Sequence, residues 1–341
     1  MKNLTFRNTQ LATNILMIGF MIIISACTAS KNEKSKSAKP VAGKKWSIPL
    51  PGNTLLDMPW VAPGTFTMGS PASEPGRKAD EGPETVVTIT KGYWLGRTEI
   101  TVGQWKAVMG ESLREHVMKM LADETVYDFG NGQKKKIREF MNFNPNDPGR
   151  IMANENDSIP MYFVSWDDAM EFCRKLTELE KANGRLPQGY QYTLPTEAQW
   201  EYACRAGTTT ATFAGPLVVD GRNAPVLNDI AWYGGNSSIN YHGKKLGNSG
   251  AGPRNAGEKK PNAWGFQDMP GNIWEWCRDV YGPYPGGNVT DYINAATGIG
   301  RVNRGGSWGS GATAERSASR ASNPQPEKSA YRAFRIALSA I

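Results

Sequence analysis

The sequence predicts a single domain that mixes helices and strands and joins them by many irregular connections. Three observations carry that expectation. The runs "VAPGTFTMGS" (61–70) and "ETVVTITKGYWLGRTEIT" (84–101) alternate apolar and polar side chains, the period of half-buried strands. Thr101, Ser165 and Thr196 each stand three positions ahead of a reciprocal acceptor, the signature of a capped helix start. The 37 glycines and 22 prolines are scattered through 341 residues without a repeat, so turns separate the elements. A hydrophobic content of 39%, with 11 Trp, 12 Tyr and 11 Phe, is ample for a core and excludes a wholly disordered chain.

The N-terminus comes first. Lys2 and Arg7 precede "ILMIGFMIII" (15–24), an apolar run too short to span a bilayer comfortably but suited to an export signal. Ile24-Ser25-Ala26-Cys27 resembles the bacterial lipobox, in which the cysteine is acylated and becomes the mature N-terminus. Residues 1–26 therefore read as a lipoprotein signal peptide and Cys27 as the lipidation site. With Thr28 rather than an acidic residue after it, routing to the bacterial outer membrane or cell surface is expected. Residues 27–50, rich in Lys, Ser and Ala, read as a flexible tether to a domain over 51–341.

The helices follow. Thr101 with Gln104 opens one. Ser165 with Asp168 opens another, in which Trp166, Ala169, Phe172, Cys173, Leu176 and Leu179 recur at helical spacing until Asn183-Gly184 stops it. Asp167 and Asp168 are then first-turn residues favoured by the helix dipole, not a catalytic dyad. Thr196 with Gln199 opens a third, with Trp200 and Ala203 inward and Gly207 at its close. Between the first two lies an insertion, 111–158, without clean periodicity, which reads as a surface excursion. Residues 207–261 read as loop-rich connection. Near the C-terminus, "RVNRGGSW" (301–308) and "YRAFRIAL" (331–338) read as strands enclosing a sparse stretch of Gly, Ser, Ala and Thr. Strands of one domain do not bracket a linker.

Charge and cysteines narrow the function. The net charge of +7 gathers partly in residues 31–45 and 134–138, where no aromatics interleave, so these read as a solvated tail and loop and nucleic acid is not an expected partner. Beyond Cys27, Cys173, Cys204 and Cys277 are far apart, with no CxxC spacing of a zinc or redox motif.

Several stretches together resemble the formylglycine-generating enzyme family, also called the sulfatase-modifying-factor domain. They are "GTFTMGS" (64–70), "TEITVGQW" (98–105), "VSWDDAMEFCRKL" (164–176), "YTLPTEAQWEYACRAGTTT" (192–210), "PNAWGFQDMPGNIWEWCRDVYGPYP" (261–285), "RVNRGGSW" (301–308) and Phe334-Arg335. The resemblance implies an irregular α+β fold related to the C-type lectin fold. Enzymes of the family oxidise a sulfatase cysteine with copper(I) held by two cysteines after "GGSW", since a soft monovalent ion wants thiolates. This chain has no cysteine after Trp308, and Ser310, Glu315 and Ser317 stand in that neighbourhood. Cys173 and Cys204 match places where some members form disulfides, but their C-terminal partners are missing, so buried thiols are expected. A second enzymatic branch holds iron with several histidines; His116 and His242 are too few and read as surface residues. No cofactor is required on this reading.

A further group with this fold comprises the variable proteins of diversity-generating retroelements, whose C-terminal segment is rewritten at template adenines. Residues 305–335 resemble such a segment. Gly305, Gly306, Ser307, Trp308, Arg316, Ser317, Ala318, Arg320, Pro324, Phe334 and Arg335 read as constant scaffold. Gly309, Ser310, Gly311, Ala314, Ser319, Ala321, Ser322, Asn323, Ser329, Ala330 and Tyr331 are all reachable from an AAC template codon. With Trp308 they form the candidate ligand-binding set, for an unknown ligand that is a protein or cell-surface molecule. The alternatives are a fixed-specificity lipoprotein whose loop drifted after metal loss, and an active oxidase. The resemblance also implies a structural calcium at Asp268, Gly271, Ile273 and Glu275, against the alternative that Glu275 pairs within the core.

Overall fold

The computed structural model describes residues 39–341 except 42, 142–155, 222 and 238–251. Cys27, the signal segment and His242 lie outside the described residues. The described chain begins with a hairpin of β1 (Trp46–Leu50) and β2 (Thr54–Met58), paired from Trp46↔Met58 to Leu50↔Thr54. Trp46, Ile48 and Leu50 are buried against the main core, so the tether expected over 27–50 ends earlier and the domain includes β1. The alternation of apolar residues at 46, 48 and 50 is the physical reason.

Strand β3 (Trp60–Val61) is followed by β4 (Gly64–Met68), β5 (Thr85–Ile89) and β6 (Tyr93–Leu95), as the alternating runs predict. Helix α1 (Val102–Met109) starts at Thr101, whose hydroxyl accepts from the Gln104 N–H at 3.2 Å while Gln104 accepts from the Thr101 N–H at 3.0 Å. The same reciprocal cap opens α2 (Leu113–Ala122) at Ser112 and Glu115. Strands β7 (Tyr127–Asp128) and β8 (Lys134–Lys135) and the short α3 (Ile137–Phe140) complete the described insertion. This segment is not a surface excursion. Leu113, Val117, Met120, Phe129 and Ile137 join the main core, because α2 turns an apolar face inward. His116 is buried too, correcting its reading as a surface residue: Nδ1 bonds Glu111 at 2.9 Å and Nε2 the Phe163 carbonyl at 3.1 Å.

Helices α4 (Trp166–Ala182) and α5 (Glu197–Arg205) carry the expected caps at Ser165 and Thr196, with strand β9 (Tyr190–Thr193) between them. Gly184 adopts φ +68° just beyond α4, a left-handed turn that suits glycine. After α5 comes the expected loop-rich stretch, yet Ala211, Leu217, Ala224, Leu227, Ile230, Ala231 and Tyr233 gather into a small apolar cluster of their own, joined by Ala312. Then follow β10 (Trp274–Val280), β11 (Gly287–Thr290), β12 (Gly300–Arg304), β13 (Arg320–Pro324), β14 (Arg332–Ala333) and β15 (Ala337–Ala340).

The larger sheets run β13-β12-β10-β14, β3-β6-β15-β9 and β11-β5-β4. Helices and small sheets alternate along the chain without βαβ layering, which gives the α+β class expected of the sequence. The main core stacks Trp105 of α1 on Phe172 of α4 with ring centres 5.8 Å apart, and Phe334 meets both edge-on. Trp276, Trp308, Ile336 and Leu338 extend it beneath the C-terminal segment.

Candidate functional site

The sparse segment lies between β12 and β13, not between β12 and the last strand. Its two ends meet at the antiparallel pair Arg304↔Arg320. Both arginines are buried and reach the same carboxylate on α5: Arg304 Nη1 donates to Glu197 at 2.9 Å, and Arg320 clasps Glu197 through Nε at 2.8 Å and Nη2 at 2.6 Å. Arg304 also reaches Glu201 and the Ser317 carbonyl, at 2.5 and 2.6 Å.

Arg316 is held from the other side. It bonds Glu81 through both guanidinium amines, at 2.7 and 2.6 Å, and Glu74 at 2.6 Å. Bidentate guanidinium–carboxylate pairs fix orientation as well as charge, and a buried one is strongly destabilised when one partner is removed. Arg335 completes the set, bidentate to Glu275 at 2.6 and 2.7 Å. Trp308 is 2% exposed; its indole donates to the Ala330 carbonyl at 3.1 Å and its carbonyl accepts from Ser237 at 2.6 Å.

Between these fixtures the remaining side chains fall into three groups. Gly309, Ser310, Gly311 and Ala314 lie half-buried or exposed on the loop, Ser329 is half-buried and accepts from the Tyr331 N–H at 3.2 Å, and Tyr331, 38% exposed, stacks on Trp308 with ring centres 4.5 Å apart. A Cβ on Gly309 would stand 2.8 Å from the Tyr331 ring, so a larger residue there displaces the tyrosine. Ala321, Ser322 and Asn323 sit on β13, accessible but held in register against β12. Ser319, Ala330 and Trp308 are buried. Those three cannot face a ligand as expected: Ser319 packs wholly inside, and Ala330 and Trp308 form the floor under Tyr331. The structure thus brings Trp308, Gly309, Ala330 and Tyr331 together and leaves 321–323 on a separate strand.

The chemistry expected of thiols is not available here. Ser310 Oγ bonds Ser307 Oγ at 2.9 Å. Glu315 is fully buried beneath Gly306, and desolvation pushes its carboxyl well above the usual range. Ser317 Oγ lies 3.5 Å from Cys204 Sγ, and burial pushes that thiol up to about 11. Hydroxyl and carboxyl oxygens do not fit copper(I), a soft ion that wants thiolates. Cys173 and Cys204 are free and buried, as expected, and Cys277 is free and buried as well.

The four residues expected to hold calcium are brought together only in part. Glu275 spends both oxygens on Arg335 and one also on the Trp200 indole at 2.7 Å. The Gly271 carbonyl accepts from the Ile273 N–H at 2.8 Å. Asp268 accepts from the Gly257 N–H at 2.5 Å and keeps its other oxygen buried without a partner. Of the two carboxylates, Asp268 alone has an oxygen to offer a hard cation. Sequence reading missed Glu74, Glu81, Glu197 and Glu201, which hold the segment from afar; no local pattern marks them.

Comparison with known proteins identifies the family and the fold. Chaperone protein LppX of Paenibacillus barcinonensis is 26% identical over 228 residues, covering 63% of this chain and 69% of the relative. The formylglycine-generating enzyme of Streptomyces coelicolor is 32% identical over 185 residues, and the match spans about half of each, 52%. Among solved structures, Treponema denticola variable protein 1 superposes with a TM-score of 0.60 at 22% identity, over 88% of this chain and 99% of that one, and so shares the fold. Residues 48–340 match the sulfatase-modifying factor enzyme 1-like domain model, and the chain belongs to that family.

Proposed function

We propose that the protein is a non-catalytic, lipid-anchored surface protein that binds a protein or cell-surface ligand through exchangeable side chains of residues 309–331. The observation that carries this reading is the division of labour in the segment. Arg304, Arg316, Arg320 and Trp308 are buried and held by fixed partners, whereas Gly309, Ser310, Gly311, Ser322 and Tyr331 are accessible. Exposed substitutions cost little stability, so such a frame can carry many surfaces. Small residues and one tyrosine are adaptable contacts of low entropy cost, as in antibody loops. The absence of thiols beyond Trp308 argues against the oxidase reading. The chaperone among the relatives favours an interaction protein of fixed specificity as the second reading.

One genomic observation separates the two. On the variable reading, the coding stretch for residues 305–335 has a near-identical non-coding copy beside a reverse-transcriptase gene, differing at template adenines. Without that copy the fixed-specificity reading stands. Aldehyde formation on a Cys-x-Pro-x-Arg peptide with copper would instead restore the oxidase. Release of the Cys27→Ser variant from membranes tests the anchor.

A further inference from the structure

A second concavity lies outside the C-terminal segment. It encloses about 330 Å³ and is lined by Phe66 of β4, Glu84, Tyr202 and Arg205 of α5, Thr208, Thr209 and Trp264, among others. That volume is at the small end of ligand sites. Its floor is a continuous strip of rings: Phe66 and Tyr202 lie 5.2 Å apart, and Tyr202 and Trp264 meet edge-on at 4.8 Å. Gly64 makes the strip possible, because a Cβ there would stand 2.1 Å from the Tyr202 hydroxyl.

The polar groups around the strip have a consistent character. Arg205 is spent internally on Glu201, the Gly69 carbonyl and the Thr210 carbonyl, so it offers no free cation. The hydroxyls of Thr67, Thr209 and Tyr202, the Trp264 indole N–H and the Glu84 carboxylate make no hydrogen bond among the described residues. Thr208 donates to the Arg205 carbonyl and can still accept. The cleft therefore offers apolar ring faces, neutral donors and acceptors, and one negative charge. An anionic ligand is repelled by Glu84. The rings touch each other rather than surround a void, so they do not form a cage for a cationic headgroup. A ligand that matches presents flat C–H faces and many hydroxyls.

We propose that this cleft binds a neutral oligosaccharide, stacked on Phe66 and Trp264 and hydrogen-bonded by Thr67, Thr209 and Glu84. The site uses fixed residues and stands whether or not residues 305–335 are diversified. The test uses the full-length chain and a panel of neutral hexasaccharides of glucose, mannose, galactose and N-acetylglucosamine. Hexagalacturonate serves as the anionic control and an unstructured decapeptide as the competing class. Binding is read by calorimetry and saturation-transfer NMR at millimolar ligand. At least one neutral hexasaccharide should bind, with its ring C–H protons saturated. Phe66→Ala should weaken it by about tenfold or more. Thr209→Val, an exposed change that leaves the fold intact, should weaken it roughly fivefold. Failure of every neutral hexasaccharide to bind overturns the proposal, as does binding that neither variant changes. Preference for hexagalacturonate, or binding of the decapeptide alone, overturns it as well, the latter assigning the cleft to strand pairing with β4.

Discussion

Ser317→Cys should close a disulfide with Cys204. The thiol sits 3.5 Å from the Ser317 hydroxyl, and both side chains are buried, so a second sulfur there meets the first with a small shift. The two residues are 113 positions apart, and the chain-entropy model gives about 4.7 kcal/mol for a loop of that length. Engineered disulfides often deliver less, so roughly 2–4 kcal/mol is the working expectation. For a domain of this size that raises Tm by about 3–6 °C, reversibly with dithiothreitol. With its thiol pushed up to about 11, Cys204 is protonated at neutral pH and attacks slowly, so refolding in a glutathione redox buffer is the suitable route. Alkylation and peptide mass mapping identify the pair. If the refolded, oxidised variant still alkylates at both 204 and 317, the placement of the segment against α5 is wrong. If the bond forms but Tm falls, the native geometry is strained and the energetic argument fails.

Three further outcomes follow from the site. Trp308→Ala should cost about 3–5 kcal/mol, and Arg316→Ala a similar amount by stranding Glu81 and Glu74, whereas Tyr331→Ala and Ser322→Tyr should stay within about 0.5–1 kcal/mol in urea melts. Burial and the nearby Glu197 carboxylate raise Asp279 to about 7. The native state therefore holds its proton more tightly than the unfolded chain, and this group's contribution is full below about pH 4 and fades as pH rises to 7. Asp279→Asn should flatten that part of the stability–pH curve, and an unchanged slope refutes the assignment. With Glu275 engaged by Arg335, millimolar calcium or its chelation should leave Tm unmoved; a calcium-dependent rise would mean that Glu275 exchanges partners.

What the sequence revealed was local. The caps at Thr101, Ser165 and Thr196 are readable because both partners lie within four residues, and all three helices begin where expected. Ser112 and Glu115 carry the same pattern, but the charged, turn-rich residues around α2 obscure its periodicity. Trp46, Ile48 and Leu50 show strand alternation, masked by the lysine-rich stretch just before them. The supports of the candidate site were illegible for a different reason. Glu81 and Arg316 are 235 positions apart, and nothing near either names the other. Burial within the segment was equally hidden: Ser319 looks like its exposed neighbour Ser322, and only the turn of the chain into β13 separates them.

Glu197 has one more consequence. Because Arg304 and Arg320 close on it together, the stretch between them is a ring whose two ends share one carboxylate, with Trp308 and Arg316 pinned separately inside it. Enlarging a closed loop costs little, about 0.6 kcal/mol for each doubling of its length. Gly311, exposed and with open space around it, lies on that ring far from the clasp. Extra residues inserted there would leave the fastening untouched. The frame therefore admits different lengths between Trp308 and Arg316 as readily as different letters, because the supports on either side of Gly311 lie in other parts of the chain.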